Sequence, residues 1–113
     1  MADESTPSAR ILKFRLTPRE AEKRVRQIAQ TSGRVLFDVD AAKERIDRDT
    51  TDAQCLEVLR AGSVDGDPLE TETGEWQCTM KKSLKGGRVL GVVVVLLKSQ
   101  RLFVRGIEIA GRQ

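Results

Sequence analysis

Residues 76–97, with the sequence WQCTMKKSLKGGRVLGVVVVLL, contain the pattern that decides the fold. Every second residue from 76 to 80 is apolar, which predicts a β-strand with Trp76 among its core-facing side chains. The glycines at 86–87 supply the positive φ angles that a tight hairpin turn needs. Residues 89–97 are apolar on both faces, so they predict a central strand that is covered on both sides or open to a partner on one.

Two helices are predicted ahead of this hairpin from their start and stop signals. Residues 17–20 (TPRE) and 51–54 (TDAQ) each match a capping box, in which a threonine and a Glu or Gln satisfy the first backbone N–H groups. Apolar residues then recur at helical spacing. Gly33 and Gly62 are predicted to end the two helices.

Shorter segments complete the pattern. Residues 11–16 alternate apolar and basic side chains, as a strand with one solvated face does, and residues 35–37 form a brief apolar run. A short helix through residues 41–46 is predicted to be capped by Asp38 or Asp40.

The order of these elements predicts the fold class. Residues 102–109 predict the last strand, where Gly106 indicates a β-bulge. Helices that precede an antiparallel meander are typical of the α+β class. We therefore predict one α+β domain over residues 10–113, in which an antiparallel twisted β-sheet of three to five strands packs on N-terminal helices. Residues 1–9 are polar and predict a disordered tail.

The composition favours a cytoplasmic protein. The 113 residues are 39% hydrophobic and 33% charged, which suits one domain with a real core and disfavours a disordered chain. The longest unbroken apolar run, residues 92–97, is far too short to span a bilayer, and the acidic N-terminus is unlike a signal peptide. No membrane partner is predicted. Cys55 and Cys78 are interpreted as reduced, packed thiols.

The chain has no histidine and no tyrosine, so it lacks the commonest general base and the commonest zinc ligand. Catalysis is therefore disfavoured and no catalytic residue is assigned. A ribonuclease-like activity would need Glu75 or Glu108 as its base. The aspartate pairs within residues 38–40 and 47–49 could hold magnesium, but helix capping explains the first pair more simply. We predict no metal and no cofactor.

The charges are segregated along the chain, although the net charge is +3. Residues 10–34 carry eight Lys or Arg against two acids, residues 35–75 carry four against twelve, and residues 76–113 carry eight against one. If the basic ends meet, they form a cationic face suited to phosphate. If they meet the acidic middle, the charges pair internally. The residues predicted to bind RNA on a basic sheet surface are Arg45, Arg48, Lys81, Arg88, Arg101 and Arg105.

Five motifs also suggest a family: AAKERI at 41–46, VLRAG at 58–62, GEWQC at 74–78, GGR at 86–88 and VVVV at 92–95. On the basis of these motifs, residues 35–109 resemble the bacterial family called domain of unknown function 4258. Ala41, or Asp40 if the register shifts by one residue, stands where that family has its signature histidine. The family is distantly similar in fold to small ribonuclease toxins of the RelE and BrnT type, so the resemblance implies a basic sheet face that cradles RNA, here without efficient catalysis.

Two functions are compatible with these observations. The first is a toxin-like module that contacts RNA or an antitoxin through a basic sheet surface. The second is a non-enzymatic protein-interaction or dimerisation domain that docks through an exposed edge strand or through the face of residues 92–97. The salt dependence of binding distinguishes the two functions. The affinity for RNA falls steeply as the salt concentration rises, because it depends on phosphate contacts, whereas the affinity of apolar docking hardly changes.

Overall fold

The computed structural model describes residues 15–111. The tail predicted at 1–9 and most of the strand predicted at 11–16 lie outside these described residues. In chain order the elements are α1 (Pro18–Ala29), β1 (Val35–Phe37), α2 (Val39–Asp47), α3 (Asp52–Ala61), β2 (Ser63–Val64), β3 (Leu69–Glu70), β4 (Trp76–Ser83), β5 (Arg88–Leu96) and β6 (Leu102–Gly111). Short 3-10 helices occupy Ser32–Arg34 and Lys85–Gly87.

Within residues 15–111, six strands form one sheet in the order β1-β6-β5-β4-β2, and β3 pairs with a different part of β4. β1 is parallel to β6, and the other pairs are antiparallel. The helices pack on one face of this sheet, which confirms the predicted α+β class. The sheet exceeds the predicted three to five strands because β2 and β3, with two residues each, are too short to show an alternating pattern.

Both predicted capping boxes are present. At the start of α1, Glu20 N donates to Thr17 Oγ1 at 3.1 Å, and Thr17 N donates to Glu20 Oε1 at 3.4 Å. At the start of α3, Gln54 N donates to Thr51 Oγ1 at 3.1 Å, and Thr51 N donates to Gln54 Oε1 at 3.0 Å. The sequence signal for both helix starts is therefore confirmed.

Arginines from α1 and α3 cap the C-terminal end of each other's helix. Arg26 donates from Nε and Nη2 to the Gly62 carbonyl at 2.9 and 2.7 Å, and Arg60 donates from Nε to the Ala29 carbonyl at 2.7 Å. Each guanidinium thus meets the negative end of a helix dipole. Gly62 ends α3 as predicted. The stop predicted at Gly33 is wrong: α1 already ends at Ala29, where Arg60 satisfies a last-turn carbonyl without help from a glycine.

The core lies between the helices and the inner face of the sheet. Side chains alternate along a strand, so every second residue of β4, of β5 and of each half of β6 points at the helices. The sheet residues buried there are Cys78, Met80, Leu90, Val92, Val94, Leu96, Leu102, Val104 and Ile107. Cys55 and Cys78 are free and buried, as interpreted from the sequence. Burial raises the pKa of each thiol to about 11, so both stay protonated at neutral pH.

β6 contains a bulge beside the predicted position. Its pairing with β5 skips Arg105, which stands as an extra residue between Val104 and Gly106. The core residues Val104 and Ile107 are three positions apart, an odd spacing that would place them on opposite faces of an unbroken strand. The bulge therefore lets both halves of β6 contribute to the same core.

The start of α2 and one of its glutamates cover the edge of β6 beyond β1. Asp38 N donates to the Val104 carbonyl at 2.9 Å, and Ile107 N donates to Glu44 Oε1 at 2.9 Å. These bonds satisfy backbone groups that no neighbouring strand pairs with. They fix α2 beside the sheet, with Ala41 in the core.

Gly62→Ala is expected to destabilise the domain. A Cβ at this position would lie 2.5 Å from the Val58 carbonyl oxygen and 2.7 Å from the Lys81 carbonyl oxygen. Both are backbone atoms, so α3 has to shift relative to β4, at a cost of about 1–3 kcal/mol. Urea unfolding followed by circular dichroism measures this loss. Gly33→Ala is the matched control, since a Cβ there meets nothing within 4 Å; equal midpoints for the two variants contradict the close approach.

Candidate functional site

One face of the sheet carries no helix in the described part of the chain, and we call it the open face. It consists of the side chains that alternate with the core-facing ones in β1, β4, β5 and β6. Val95 lies near the end of β5, is 4% exposed, and is flanked in register by Gln77 and Phe103. Leu36 is 39% exposed at its edge. Residues 89–97 were predicted to form a strand that is covered on both sides or open on one. In the structure, helices cover this strand on one side.

A cavity of about 670 Å³ opens on this face, and we call it the groove. Apolar side chains form its floor, and these are Leu69, Val95, Leu97 and Phe103. Two walls bound the groove, one at each lateral edge of this part of the sheet. Asp38 forms one wall, where the chain leaves β1, and residues 70–75, which lead from β3 into β4, form the other.

Hydrogen bonds within the second wall hold its shape. Thr71 N donates to the Glu75 carbonyl at 2.7 Å, and Glu75 N donates to Thr71 Oγ1 at 3.0 Å. Lys98 N donates to Glu75 Oε2 at 2.9 Å, and Thr73 Oγ1 donates to Glu75 Oε1 at 3.0 Å. These bonds, the one from the Lys98 backbone above all, lower the pKa of the Glu75 carboxyl. Glu75 thereby links this wall to the turn between β5 and β6.

The groove is acidic. Three carboxylates and one guanidinium belong to its lining residues, Asp38, Glu72, Glu75 and Arg105. Glu70 also lines the groove, but it pairs in register with the core-facing Trp76, so its carboxylate lies on the other face of the sheet. Asp38 is the N-cap residue of α2, yet its side chain makes no capping hydrogen bond and lines the groove instead. Arg105 Nη1 donates to Gln77 Oε1 at 3.4 Å. These four side chains give the groove a net formal charge of −2, which attracts cations and repels polyanions.

Lys81, one of the residues predicted to bind RNA, is neutralised on the open face. Its Nζ lies 2.9 Å from Asp65 Oδ2. Gly91 opposes Lys81 in register and Glu108 follows on the next strand. The hydrogen bond from Lys81 to Asp65 is the largest cause that raises the pKa of Lys81, and the charges of Asp65 and Glu108 act in the same direction.

The two acids considered as catalytic bases are far apart. Glu75 precedes Trp76, which pairs with Leu96, whereas Glu108 pairs with Gly91. Five residues along β5 separate these levels of the sheet, which corresponds to about 17 Å. Glu75 and Glu108 therefore do not form a catalytic pair.

Arg45 and Arg88 hold the corner between α2 and α3. Arg88 Nη2 donates to the Arg48 carbonyl at 3.0 Å and to Thr50 Oγ1 at 3.2 Å. Arg45 Nη1 donates to the Thr50 carbonyl at 3.3 Å. Arg45 Nε lies 2.9 Å from Asp52 Oδ1, but its N–H is not in hydrogen-bonding geometry, so this contact is an ion pair without a directed bond. Both guanidiniums are thus used inside the fold.

The six residues predicted to bind RNA lie in three separate places. Arg45, Arg48 and Arg88 lie at the α2–α3 corner, Lys81 and Arg105 lie on the open face, and Arg101 lies in the exposed turn before β6. Arg88 begins β5 and Arg101 follows its other end, and a nine-residue strand spans about 30 Å. Among residues 15–111 the single cationic patch expected from the basic ends is not formed, because acids of the middle segment pair with Lys81 and Lys82.

Sequence reasoning missed the groove because its parts are distant in the chain. Asp38, residues 70–75 and Arg105 come together through the order of the strands, which no local pattern encodes. The available signal was the strand that is apolar on both faces. That signal indicates an open face but not the acids around it.

No family model matches the chain, and comparison with curated proteins and with solved structures finds no match either. The resemblance to the domain of unknown function 4258 family therefore stays a prediction. Among residues 15–111, no helix is both long and apolar enough to cross a bilayer. The same residues contain no cluster of three His, Cys, Asp or Glu side chains placed to hold a metal ion.

Arg88→Ala is expected to lower the free energy of unfolding by about 1.5–3 kcal/mol, because it removes hydrogen bonds from a charged donor to the Arg48 carbonyl and to the buried Thr50. Arg101→Ala is the matched control, because this exposed side chain has no hydrogen bond among the described residues, and its effect should stay within about 0.5 kcal/mol. Urea titration compares them. Equal unfolding midpoints would show that the corner does not depend on Arg88.

Glu75→Gln is expected to reduce the stability of the fold in a pH-dependent way. The pKa of Glu75 lies below its ordinary value of 4.5 in the fold, so the charged form stabilises the native state above pH 4.5. This contribution is lost as the pH falls through the lowered pKa. Calorimetry from about pH 7 to about pH 3 should show a Tm difference between wild type and variant that shrinks on acidification. Glu72→Gln, in the same turn, is the control and should give no such trend.

Proposed function

We propose that this chain is a non-enzymatic protein-interaction domain that docks a partner protein on the open face of its sheet. The observation that carries the proposal is the apolar surface around Leu36, Leu69 and Phe103, which the helices leave uncovered. An apolar surface with a polar rim is typical of a protein-interaction site. Docking through the face of residues 92–97 is the second of the two functions predicted from the sequence.

The charges of the open face favour a protein partner over RNA. Phosphate binding depends on cations that are not already neutralised. Lys81 faces Asp65 and Glu108, and carboxylates outnumber guanidiniums around the groove. An RNA strand would therefore meet repulsion along most of this surface.

The aromatic side chains support the same choice. Proteins that bind single-stranded nucleic acids stack the bases on exposed aromatic rings. In the described range, Phe37 and Trp76 pack against the core, which leaves Phe103 as the aromatic residue of the open face. One ring at the floor of an acidic groove suits an aliphatic side chain of a protein better than a run of bases.

The described side chains also favour binding over catalysis. Cys55 and Cys78 are buried, and their raised pKa values of about 11 keep them from acting as nucleophiles. Glu75 already accepts two hydrogen bonds, and Glu108 lies near Lys81. A domain of this kind acts by holding a partner.

Leu36→Asp and Leu69→Asp are expected to weaken partner docking, because each places a charge in the apolar surface. The two side chains are 39% and 66% exposed, so the fold should tolerate both changes. The full-length chain is immobilised, bound proteins from its source cells are identified by mass spectrometry, and the partner is then purified for an affinity measurement. We expect a loss of at least about tenfold, or 1.4 kcal/mol.

Ile46→Asp is the matched control for this experiment. It places the same charge on a 68% exposed side chain of α2 that does not line the groove, and it should leave the affinity unchanged. Circular dichroism verifies that all three variants fold. A partner that binds all three variants equally, or that nuclease treatment releases, contradicts the proposed function.

A further inference from the structure

We infer that the occupant of the open face is a second copy of this chain, packed sheet against sheet about a twofold axis that runs along β5. The inference rests on the proposed function, since it names the partner that docks on the open face. The distribution of side chains on the two sides of β5 carries it. Features on the β6 side have complementary features in the same register on the β4 side.

The axis determines which side chains meet. It lies between the two sheets and parallel to β5, so it places the β6 side of one copy opposite the β4 side of the other. Positions along the strands do not change, because the rotation leaves the direction of its own axis as it was. Sheets that pack face to face keep their strands within about 30° of each other, which agrees with this arrangement.

One row of residues across the sheet has a leucine at each end. Val95 pairs with Phe103 on β6 and with Gln77 on β4. Beyond β6, Leu36 pairs with Phe103. Beyond β4, Leu69 pairs with Gln77. The axis places Leu36 opposite Leu69 of the second copy, at both ends of the row. These side chains are 39% and 66% exposed, so the contact removes apolar surface from water.

The middle of the row combines an aromatic ring with a cation. Arg105 belongs to β6, but its side chain crosses to β4, where Nη1 donates to Gln77 Oε1 at 3.4 Å. The axis places Gln77 opposite Phe103 of the second copy. The ring of Phe103 therefore meets the guanidinium and the methylene stem of Arg105, which is a cation–π contact.

Opposite charges meet at the end of the row near the β5–β6 turn. Leu97 N donates to the Arg101 carbonyl at 2.9 Å, so Arg101 is level with Leu97 on the β6 side. Glu75 precedes Trp76, which pairs with Leu96, so Glu75 is level with Leu97 on the β4 side. Alternation along the strands assigns both charged residues to the open face. The axis therefore brings Arg101 to Glu75 of the second copy.

Opposite charges also meet at the other end of the row. Glu108 on β6 and Lys81 on β4 flank Gly91, so the axis places Glu108 opposite Lys81 of the second copy. Asp38 comes opposite Asp65 of the second copy, whose carboxylate Lys81 neutralises at 2.9 Å. Charge complementarity of this kind aligns two surfaces and disfavours other partners.

A twofold axis that crosses the strands along the same row fits less well. It would place Arg101 opposite Arg105 of the second copy, because they lie on β6 to either side of Phe103. Like charges that face each other oppose association. The axis along β5 is therefore favoured.

Sedimentation equilibrium of the purified full-length chain tests the inference. Leu36→Asp and Leu69→Lys should each weaken the dimer at least about tenfold, because each places a charge against a leucine. An equimolar mixture of the two variants should dimerise at least about tenfold more tightly than either variant alone. In the mixed pair the new carboxylate meets the new ammonium at one end of the row, and the native contact between Leu36 and Leu69 is kept at the other.

A second mixture is the matched control. Leu36→Asp with Leu36→Lys introduces the same two charges, but each of them faces Leu69 of the other copy, so this mixture should stay as weak as the single variants. Ile46→Asp, which lies outside the groove, should dimerise like the wild type. Circular dichroism verifies that every variant folds.

The outcomes separate this inference from the proposed function. A wild-type chain that stays monomeric up to about 1 mM overturns the inference, and so does equal dimerisation of the two mixtures. A dimer that Leu36→Asp leaves unchanged overturns it as well. If the chain is monomeric while a different purified protein docks in a way that Leu36→Asp weakens, the second copy is the wrong occupant and the proposed function stands.

Discussion

β5 carries apolar side chains on both faces, while α1 and α3 pack on the same side of the sheet and cover only one of them. Alternation along the strand leaves no other arrangement: once Val92 and Val94 point at the helices, Val93 and Val95 point away from them. A single layer of helices therefore builds a well-buried core and an apolar open face with the same strand. The open face follows from the way the core is constructed.

The acidic middle segment determines what this face can bind. Acids of this segment pair with cations that the C-terminal basic stretch supplies, as Glu57 pairs with Lys82 and Asp65 pairs with Lys81. Arg26, Arg60 and Arg88 donate instead to backbone carbonyls. These five basic side chains thus help to hold the fold together. Among the acids of residues 35–75 that form no ion pair in the described range, Asp38 and Glu72 lie at the groove.

The sequence predicts local structure well here and the groove poorly, for one physical reason. Capping boxes, the glycine hairpin and the core periodicity depend on residues a few positions apart, and each of them is confirmed. The two-residue strands β2 and β3 form because they pair with β4, and they are too short for a periodic pattern to predict them. The sequence predicts that Asp38 or Asp40 caps α2, but the Asp38 side chain makes no capping hydrogen bond. The local sequence does not reveal that Asp38 lines a groove together with Arg105.

The bulge in β6 connects the core to the proposed recognition site. The odd spacing from Val104 to Ile107 requires an extra residue, and that residue is Arg105, whose guanidinium lies over the open face beside Gln77. The opposite wall is fixed by Glu75, which bonds both within its own turn and to the Lys98 backbone. Because the sheet holds these charged side chains in place, few of them lose conformational freedom when a partner binds. A smaller entropic cost leaves a more favourable free energy of binding.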